Sequence, residues 1–205
     1  VHRLAAERFP EASPAAFGAL QTEWLRRARL VRLLENNEDI ATLALSPDGS
    51  HIISGSSSGN LRFWDVVTGR SAAFKGHEQR VTGIAYSPDG KHFVSGGMDG
   101  KLRLWNATPT APIGPPFVGD PHSVTSVAYR PDGRYIVSGG ADGKLRLWNT
   151  ATRAMVGAPF VGGARPVTSV TFSPDGRHIV SGHGDGGLGL WDTTTGALVR
   201  NLTGG

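Results

Sequence analysis

Hydrophobic residues along most of the chain fall in short runs that polar turn residues separate. In the clearest copy, residues 81–86 form an apolar run that ends at Ser-Pro-Asp-Gly, residues 87–90. There, proline presets the first turn position and glycine permits the positive φ that reverses the chain. A second run at 92–95 is followed by Asp-Gly at 99–100, and a third run covers 102–105. The pattern predicts three antiparallel strands joined by tight turns.

This pattern occurs four times, and its period is nearly constant. The turn prolines and the tryptophans that end the third run both recur at intervals of 41, 43 and 43 residues, at Pro47, Pro88, Pro131 and Pro174, and at Trp64, Trp105, Trp148 and Trp191. A fixed period of this length indicates an array of supersecondary units. A fourth, proline-containing segment in each unit, such as 112–118, suits a solvent-facing edge strand. We therefore predict an all-β fold of four four-stranded antiparallel repeats, each a β-propeller blade.

The predicted repeat domain covers residues 40–205, and a different segment, residues 1–39, precedes it. The repeats lie at approximately 40–80, 81–123, 124–166 and 167–205. Ser13-Pro14 is a favourable helix start, and apolar residues then recur at helical spacing to about residue 28, which predicts an amphipathic N-terminal helix. This helix either packs on the flank of the first repeat or links it to a larger protein, and we favour the linker.

The segment 30–34 admits two interpretations. Its sequence, Leu-Val-Arg-Leu-Leu, resembles residues 198–202, which occupy the outer-strand position of the last repeat. The segment is therefore either the end of the helix or an outer strand, since short apolar runs suit both states.

Composition narrows the classes of function. The 205 residues include no cysteine, which excludes disulfides and thiolate metal sites and fits a reducing, cytoplasmic location. No apolar stretch is long enough for a membrane span, and no secretory signal is apparent. The net charge is +4, but the arginines are spread over the repeats instead of forming a stripe with aromatic residues, so nucleic acid is an unfavoured partner.

The Trp-Asp dipeptides at 64–65 and 191–192, and the Gly-His at 76–77, resemble the WD40 repeat family across residues 40–205. The resemblance implies a buried hydrogen-bonded chain in each blade, which by position is His77, Ser95, Asp99 and Trp105 in the second repeat. The corresponding residues of the third and fourth repeats are Ser138, Asp142 and Trp148, and Ser181, Asp185 and Trp191. Neither repeat has a histidine at the position of His77, and the first repeat has Asn36 and Ser58 in place of the histidine and aspartate. We therefore expect three blades to be held mainly by packing. We interpret His77 and Asp99 as structural residues, not as a catalytic or metal-binding pair.

The same resemblance implies a non-enzymatic scaffold that binds a protein or peptide partner on the top face of the propeller, without a catalytic residue, metal or cofactor. Three positions in each repeat supply the contacts. These are Asp39, Ala41 and Ser57; Arg80, Thr82 and Met98; Ser123, Thr125 and Ala141; and Pro166, Thr168 and Gly184. Arg80 and Met98 are the best anchors by residue type. The alternative is a sensor or autoinhibitory region of a larger bacterial ATPase, kinase or protease-like signalling protein.

The presence of four repeats does not decide whether the blades close into a ring within one chain. Most members of the family have more blades, and an open array exposes two apolar flanks. Three interpretations stay open. If the array is open, the chain is either a fragment of a longer propeller or one of two chains that join their flanks by self-association. If the array is closed, the chain is a compact four-blade ring.

Overall fold

The structure is a computed structural model that describes residues 38–108, 110–117, 122–161 and 165–202. In these ranges it contains β-strands and no helix. The sixteen strands are β1 Ile40–Leu45, β2 His51–Ser56, β3 Asn60–Asp65, β4 Ser71–Lys75, β5 Val81–Tyr86, β6 His92–Gly97, β7 Leu102–Asn106, β8 Ala111–Pro112, β9 Val124–Tyr129, β10 Tyr135–Gly140, β11 Lys144–Asn149, β12 Phe160–Val161, β13 Val167–Phe172, β14 His178–His183, β15 Leu188–Asp192 and β16 Leu198–Leu202.

Each group of four consecutive strands forms one antiparallel sheet in chain order. We call the sheets β1–β4, β5–β8, β9–β12 and β13–β16 blades one to four. The predicted all-β fold of four four-stranded antiparallel sheets is confirmed. The predicted N-terminal helix and the segment 30–34 lie outside the described residues.

The Ser-Pro-Asp-Gly turns of blades one, two and four, and the Arg-Pro-Asp-Gly turn of blade three, connect the first and second strands as their sequence predicts. In blade two, Gly90 has a φ of +69° and donates its N–H to the carbonyl of Ser87 at 2.9 Å. The Ser87 hydroxyl donates to Asp89 at 2.6 Å, which closes the turn from the side-chain side. Only glycine adopts this φ without strain, so the turn fixes the register of the strands on either side.

The outer strands of blades two and three are shorter than the sequence indicated. In blade two the predicted strand at 112–118 is reduced to Ala111–Pro112 and one isolated bridge between Leu102 and Phe117. Prolines in this segment lack the N–H that a ladder needs. In blade four, by contrast, β16 is a full strand of five residues, as predicted.

Three hydrophobic clusters hold the array, and each lies between two neighbouring blades. The cluster between blades two and three, for example, joins Leu102 and Phe117 to Val124 and Trp148. The first strands pack in sequence, β1 on β5, β5 on β9 and β9 on β13. Within the described residues β13 has no comparable packing against β1, so the array has two open ends.

Candidate functional site

A hydrogen-bonded chain runs through blade two at the end where β6 turns into β7. The indole N–H of Trp105 donates to the Ser95 hydroxyl at 2.9 Å, and that oxygen lies 2.7 Å from His77 Nε2. His77 Nδ1 lies 2.9 Å from Asp99, whose carboxylate also accepts the backbone N–H groups of Glu78 and Lys101. The structure thus brings all four residues of the second repeat's predicted network into contact.

Burial lowers the pKa of His77 and outweighs the neighbouring Asp99, so the imidazole is neutral at neutral pH. Burial also raises the pKa of Asp99, but the hydrogen bonds from His77, Glu78 and Lys101 together bring it below its usual value. Because an ionised carboxylate only accepts, Nδ1 of His77 carries the proton and Nε2 accepts the Ser95 hydroxyl. His77 and Ser95 are fully buried with every polar atom paired, which suits a structural role.

In blade three an arginine side chain takes the position that the His77 imidazole has in blade two. Arg146, on β11, donates two hydrogen bonds to Asp142, at 3.2 and 2.8 Å, while Trp148 donates to Ser138 at 2.9 Å. A Cβ built on Gly140 would lie 3.1 Å from Arg146 Nη1. A Cβ on Gly97, the matching glycine of blade two, would lie 2.5 Å from His77 Nδ1. The guanidinium therefore occupies the space that the imidazole fills in blade two.

In blade four the corresponding space next to the Ser–Trp bond is filled by a residue from a different position of the repeat, the end of the second strand. His183 stands at the end of β14, where blades two and three have glycine, and its Nε2 lies 2.9 Å from the Ser181 hydroxyl. Trp191 donates to the same hydroxyl at 2.9 Å. Asp185 is exposed and accepts the backbone N–H of Gly187 at 3.0 Å. Within the described residues, Nδ1 of His183 is buried without a hydrogen-bond partner.

Blade one uses small hydroxyls and a glutamate. Trp64 donates to Ser54 at 2.8 Å, and Ser56 at the glycine position lies 2.8 Å from Ser58. Ser58 donates in turn to Glu38 at 2.8 Å. The expectation that blades one, three and four are held mainly by packing stays a prediction, and the structure adds that each of them keeps the Ser–Trp bond with further polar groups beside it. Matching the family's positions missed these groups because they come from other places in the repeat.

The predicted partner-binding positions lie together at this same end of the blades. In each blade, the residue after the strand-two end donates its backbone N–H to the residue that precedes strand one. The four bonds are Ser57 to Asp39 at 3.2 Å, Met98 to Arg80 at 2.9 Å, Ala141 to Ser123 at 2.9 Å and Gly184 to Pro166 at 3.0 Å. We call this end, which carries the β2–β3 turn of blade one and its equivalents, the top face.

A cavity of about 560 Å³ opens on the top face between blades two and three. Its lining residues are Gln79, Met98, Asp99, Gly100, His122, Ser123, Ala141 and Asp142. The Ser123 hydroxyl donates to the Met98 carbonyl at 3.0 Å and ties the two blades together beside it. The Met98 side chain is 46% exposed. The volume falls in the range of small-molecule pockets.

The other predicted top-face residues lie outside this cavity. Thr82 and Thr125 are half-buried, and their hydroxyls donate to carbonyls of the blades themselves, Thr82 to Val124 at 2.6 Å and Thr125 to Gly139 at 2.8 Å. The remaining described positions of the set are exposed, except the half-buried Ala41, and are Asp39, Ser57, Arg80, Pro166, Thr168 and Gly184. The structure thus unites three predicted residues, Met98, Ser123 and Ala141, in one cavity.

Comparison with known families agrees with this architecture. Residues 28–65, 69–106, 116–149 and 159–192 match the family model described as WD domain, G-beta repeat. The chain belongs to the WD40 repeat family. The first matched segment begins at residue 28, and the boundary at residue 39 stays a prediction. A search of curated proteins gave no significant match.

Two further features of this WD40 chain bear on its chemistry. Across the described ranges, no group of three or more histidine, aspartate or glutamate side chains is placed to hold a metal ion. In the same part of the chain, no helix is long and apolar enough to cross a membrane.

Sequence reasoning missed Gln79 and His122 of the cavity, and the roles of Arg146 and His183. One signal was present for His183. The WD40 repeats have Gly97 and Gly140 at the end of strand two, so a bulky residue at the same register position indicates that its side chain fills the space above the strand.

Proposed function

We propose that this WD40 chain is a non-enzymatic platform that binds a protein or peptide partner on its top face, in the cavity between blades two and three. The observation that carries the proposal is the cavity itself, which combines an exposed methionine of blade two with Ser123 and Ala141 of blade three. WD40 repeats generally mediate protein–protein interaction, and a rigid scaffold with exposed loops suits that task.

The cavity favours a partner that brings an apolar side chain to Met98. Methionine adapts to irregular surfaces, and Met98 lines the cavity together with Ala141 and several polar residues. Asp99 and Asp142 have lowered pKa values, because the hydrogen bonds they accept outweigh the effect of burial, and both are ionised at neutral pH. Arg146 neutralises Asp142, whereas Asp99 is paired with a neutral imidazole, so the charge of Asp99 disfavours a carboxylate of the partner on the blade-two side of the cavity. Arg80, exposed beside it, provides an anchor for polar or acidic groups at the rim.

The non-enzymatic character rests on how the reactive residue types are used. His77, Ser95 and Asp99 have the identities of a hydrolase triad, but Ser95 is fully buried and holds the indole of Trp105. A nucleophile must reach its substrate. The absence of cysteine fits a cytoplasmic setting.

The alternative is a sensor or autoinhibitory role in a larger bacterial ATPase, kinase or protease-like signalling protein. The amphipathic pattern at residues 14–28 supports it, because such a helix needs a partner surface. In that case the same cavity holds a segment of the larger protein.

Peptides selected from a displayed random library on the immobilised chain test the proposal. We expect Met98→Ala to weaken the affinity of a selected peptide about tenfold, the loss typical of a hot-spot residue. Arg80→Ala should weaken it severalfold without changing the unfolding midpoint. Met155→Ala is the matched control, since Met155 is the chain's other methionine, is similarly exposed and lies outside the cavity. Equal affinities of the Met98 and Met155 variants in calorimetric titration would contradict the proposal.

A further inference from the structure

The three contacts between neighbouring blades share one detail. The first residue of strand one in each following blade is a valine that lies against a strand-two glycine of the preceding blade. A Cβ built on the glycine would come within 2.5 to 2.6 Å of that valine, in the pairs Gly55–Val81, Gly96–Val124 and Gly139–Val167. All three valines are fully buried. Only glycine leaves room for this approach, so each contact consists of an apolar knob and a glycine socket.

The two ends of the array carry one unpaired knob and one unpaired socket. Ile40 stands where the three valines stand and is 47% exposed. Gly182 stands where the three glycines stand. In the described residues, a Cβ built there meets within 4 Å only Thr168 and Leu188, both of its own blade.

The surrounding apolar residues repeat the same contrast. Leu43 of blade one is 61% exposed, whereas the residues at its position inside the array, Ile84, Val127 and Val170, are 8%, 8% and 6% exposed. Leu188 of blade four is 43% exposed, whereas Leu61, Leu102 and Leu145 at its position are 0%, 1% and 0% exposed. The ends are thus the two halves of the interface that the chain forms three times internally.

We propose that a second copy of this chain docks head to tail, with the Ile40 face of each copy on the Gly182 face of the other. A contact between two like faces would set knob against knob, whereas unlike faces reproduce the internal contact. Two copies related by a twofold axis satisfy both ends at once and close a ring of eight blades. Propellers of up to about eight blades form closed rings. The proposal is independent of the partner-binding cavity.

Two single-cysteine variants test it. The chain has no cysteine, so Ile40→Cys and Gly182→Cys each introduce the sole thiol. When the two purified variants, one carrying a mass tag, are mixed and mildly oxidised, the mixed disulfide should predominate over both homodimers, at twice the 21.6 kDa chain mass plus the mass of one tag. The double variant Gly96→Cys/Val124→Cys is the matched control, since it reproduces an internal pair and should cross-link at the mass of one chain.

A second readout avoids oxidation. Analytical ultracentrifugation of the unmodified chain should give twice the chain mass, and Ile40→Asp should reduce it to one chain mass with unchanged tryptophan fluorescence. Two results would overturn the proposal. An intramolecular cross-link in Ile40→Cys/Gly182→Cys would mean a four-blade ring. A single-chain mass at every concentration, with no mixed disulfide, would mean that the two faces do not join copies of the chain.

Discussion

Blades two and three have the same residues at most of their structural positions, yet they satisfy the turn aspartate differently. Ser95 and Ser138 each accept a tryptophan indole N–H at 2.9 Å. In blade two a neutral histidine bridges the serine and Asp99. In blade three a guanidinium binds Asp142 directly. In these two blades the space beside the Ser–Trp bond is filled by a side chain that also donates to the turn aspartate, and either an imidazole or a guanidinium can do this.

The two solutions differ in charge. Blade two pairs an ionised aspartate with a neutral imidazole, so its network has charge-assisted hydrogen bonds to Asp99 but no ion pair. Blade three holds an ion pair whose side chains are only 5% and 11% exposed. Removing one partner of a buried pair leaves an uncompensated charge. We therefore expect Arg146 of blade three to contribute more to the free energy of unfolding than Arg103, which stands at the same strand position in blade two.

The largest expected effect comes from Arg146→Met. It should lower the free energy of unfolding by about 3 kcal/mol, because Asp142 loses both hydrogen bonds and its counter-charge in a buried site. Urea denaturation followed by tryptophan fluorescence measures the loss.

Arg103→Met is the matched control, because Arg103 stands at the same strand position in blade two. Within the described residues its buried Nε has no hydrogen-bond partner, and its removal should cost less than about 1 kcal/mol. Equal losses for the two variants would refute the proposed difference between the blades.

A smaller effect should appear in the pH dependence of stability. Burial holds the pKa of His77 below the ordinary 6.5, so the unfolded chain binds a proton that the folded chain does not. The stabilising contribution is complete above pH 6.5 and is lost as the pH falls through the folded-state pKa. The free energy of unfolding, measured between pH 7.5 and pH 5, should therefore become smaller as the pH is lowered.

His77→Gln sharpens the comparison, because glutamine keeps polar atoms in the site but does not titrate. Its stability curve should be flatter than that of the parent chain over the same range. Asp99, whose pKa is lowered, contributes only at more acidic pH, below its ordinary 3.8. Parallel curves for the two proteins would show that His77 does not titrate differently in the folded state.

Much of the fold was predictable because its determinants are local. The Pro-Asp-Gly turns and the short apolar runs predicted four strands per blade, and the strand at Leu198–Leu202 was found where the pattern placed it. The weak outer strand of blade two was overestimated, since prolines remove the backbone donors that a ladder requires.

The cavity and the polar substitutions were less accessible from sequence because they arise between distant positions. Met98 and Ala141 come from different blades, and only the packing of blade two on blade three brings them to one cavity. Arg146 of blade three and His183 of blade four fill equivalent spaces in their own blades, but they come from positions that do not correspond in the repeat. Residue-by-residue matching finds a function retained at one position and misses a function transferred to another.

The most direct measurement of this account is the solvent exchange of the tryptophan indole protons in ¹⁵N-labelled protein, followed by NMR. The central claim is that every blade keeps the Ser–Trp hydrogen bond while the group beside it changes. The account predicts slow exchange for the four indole N–H groups of Trp64, Trp105, Trp148 and Trp191, all of which are buried donors to serine. Slow exchange of Trp105 alone would contradict it and would mean that only the blade with His77 maintains this bond.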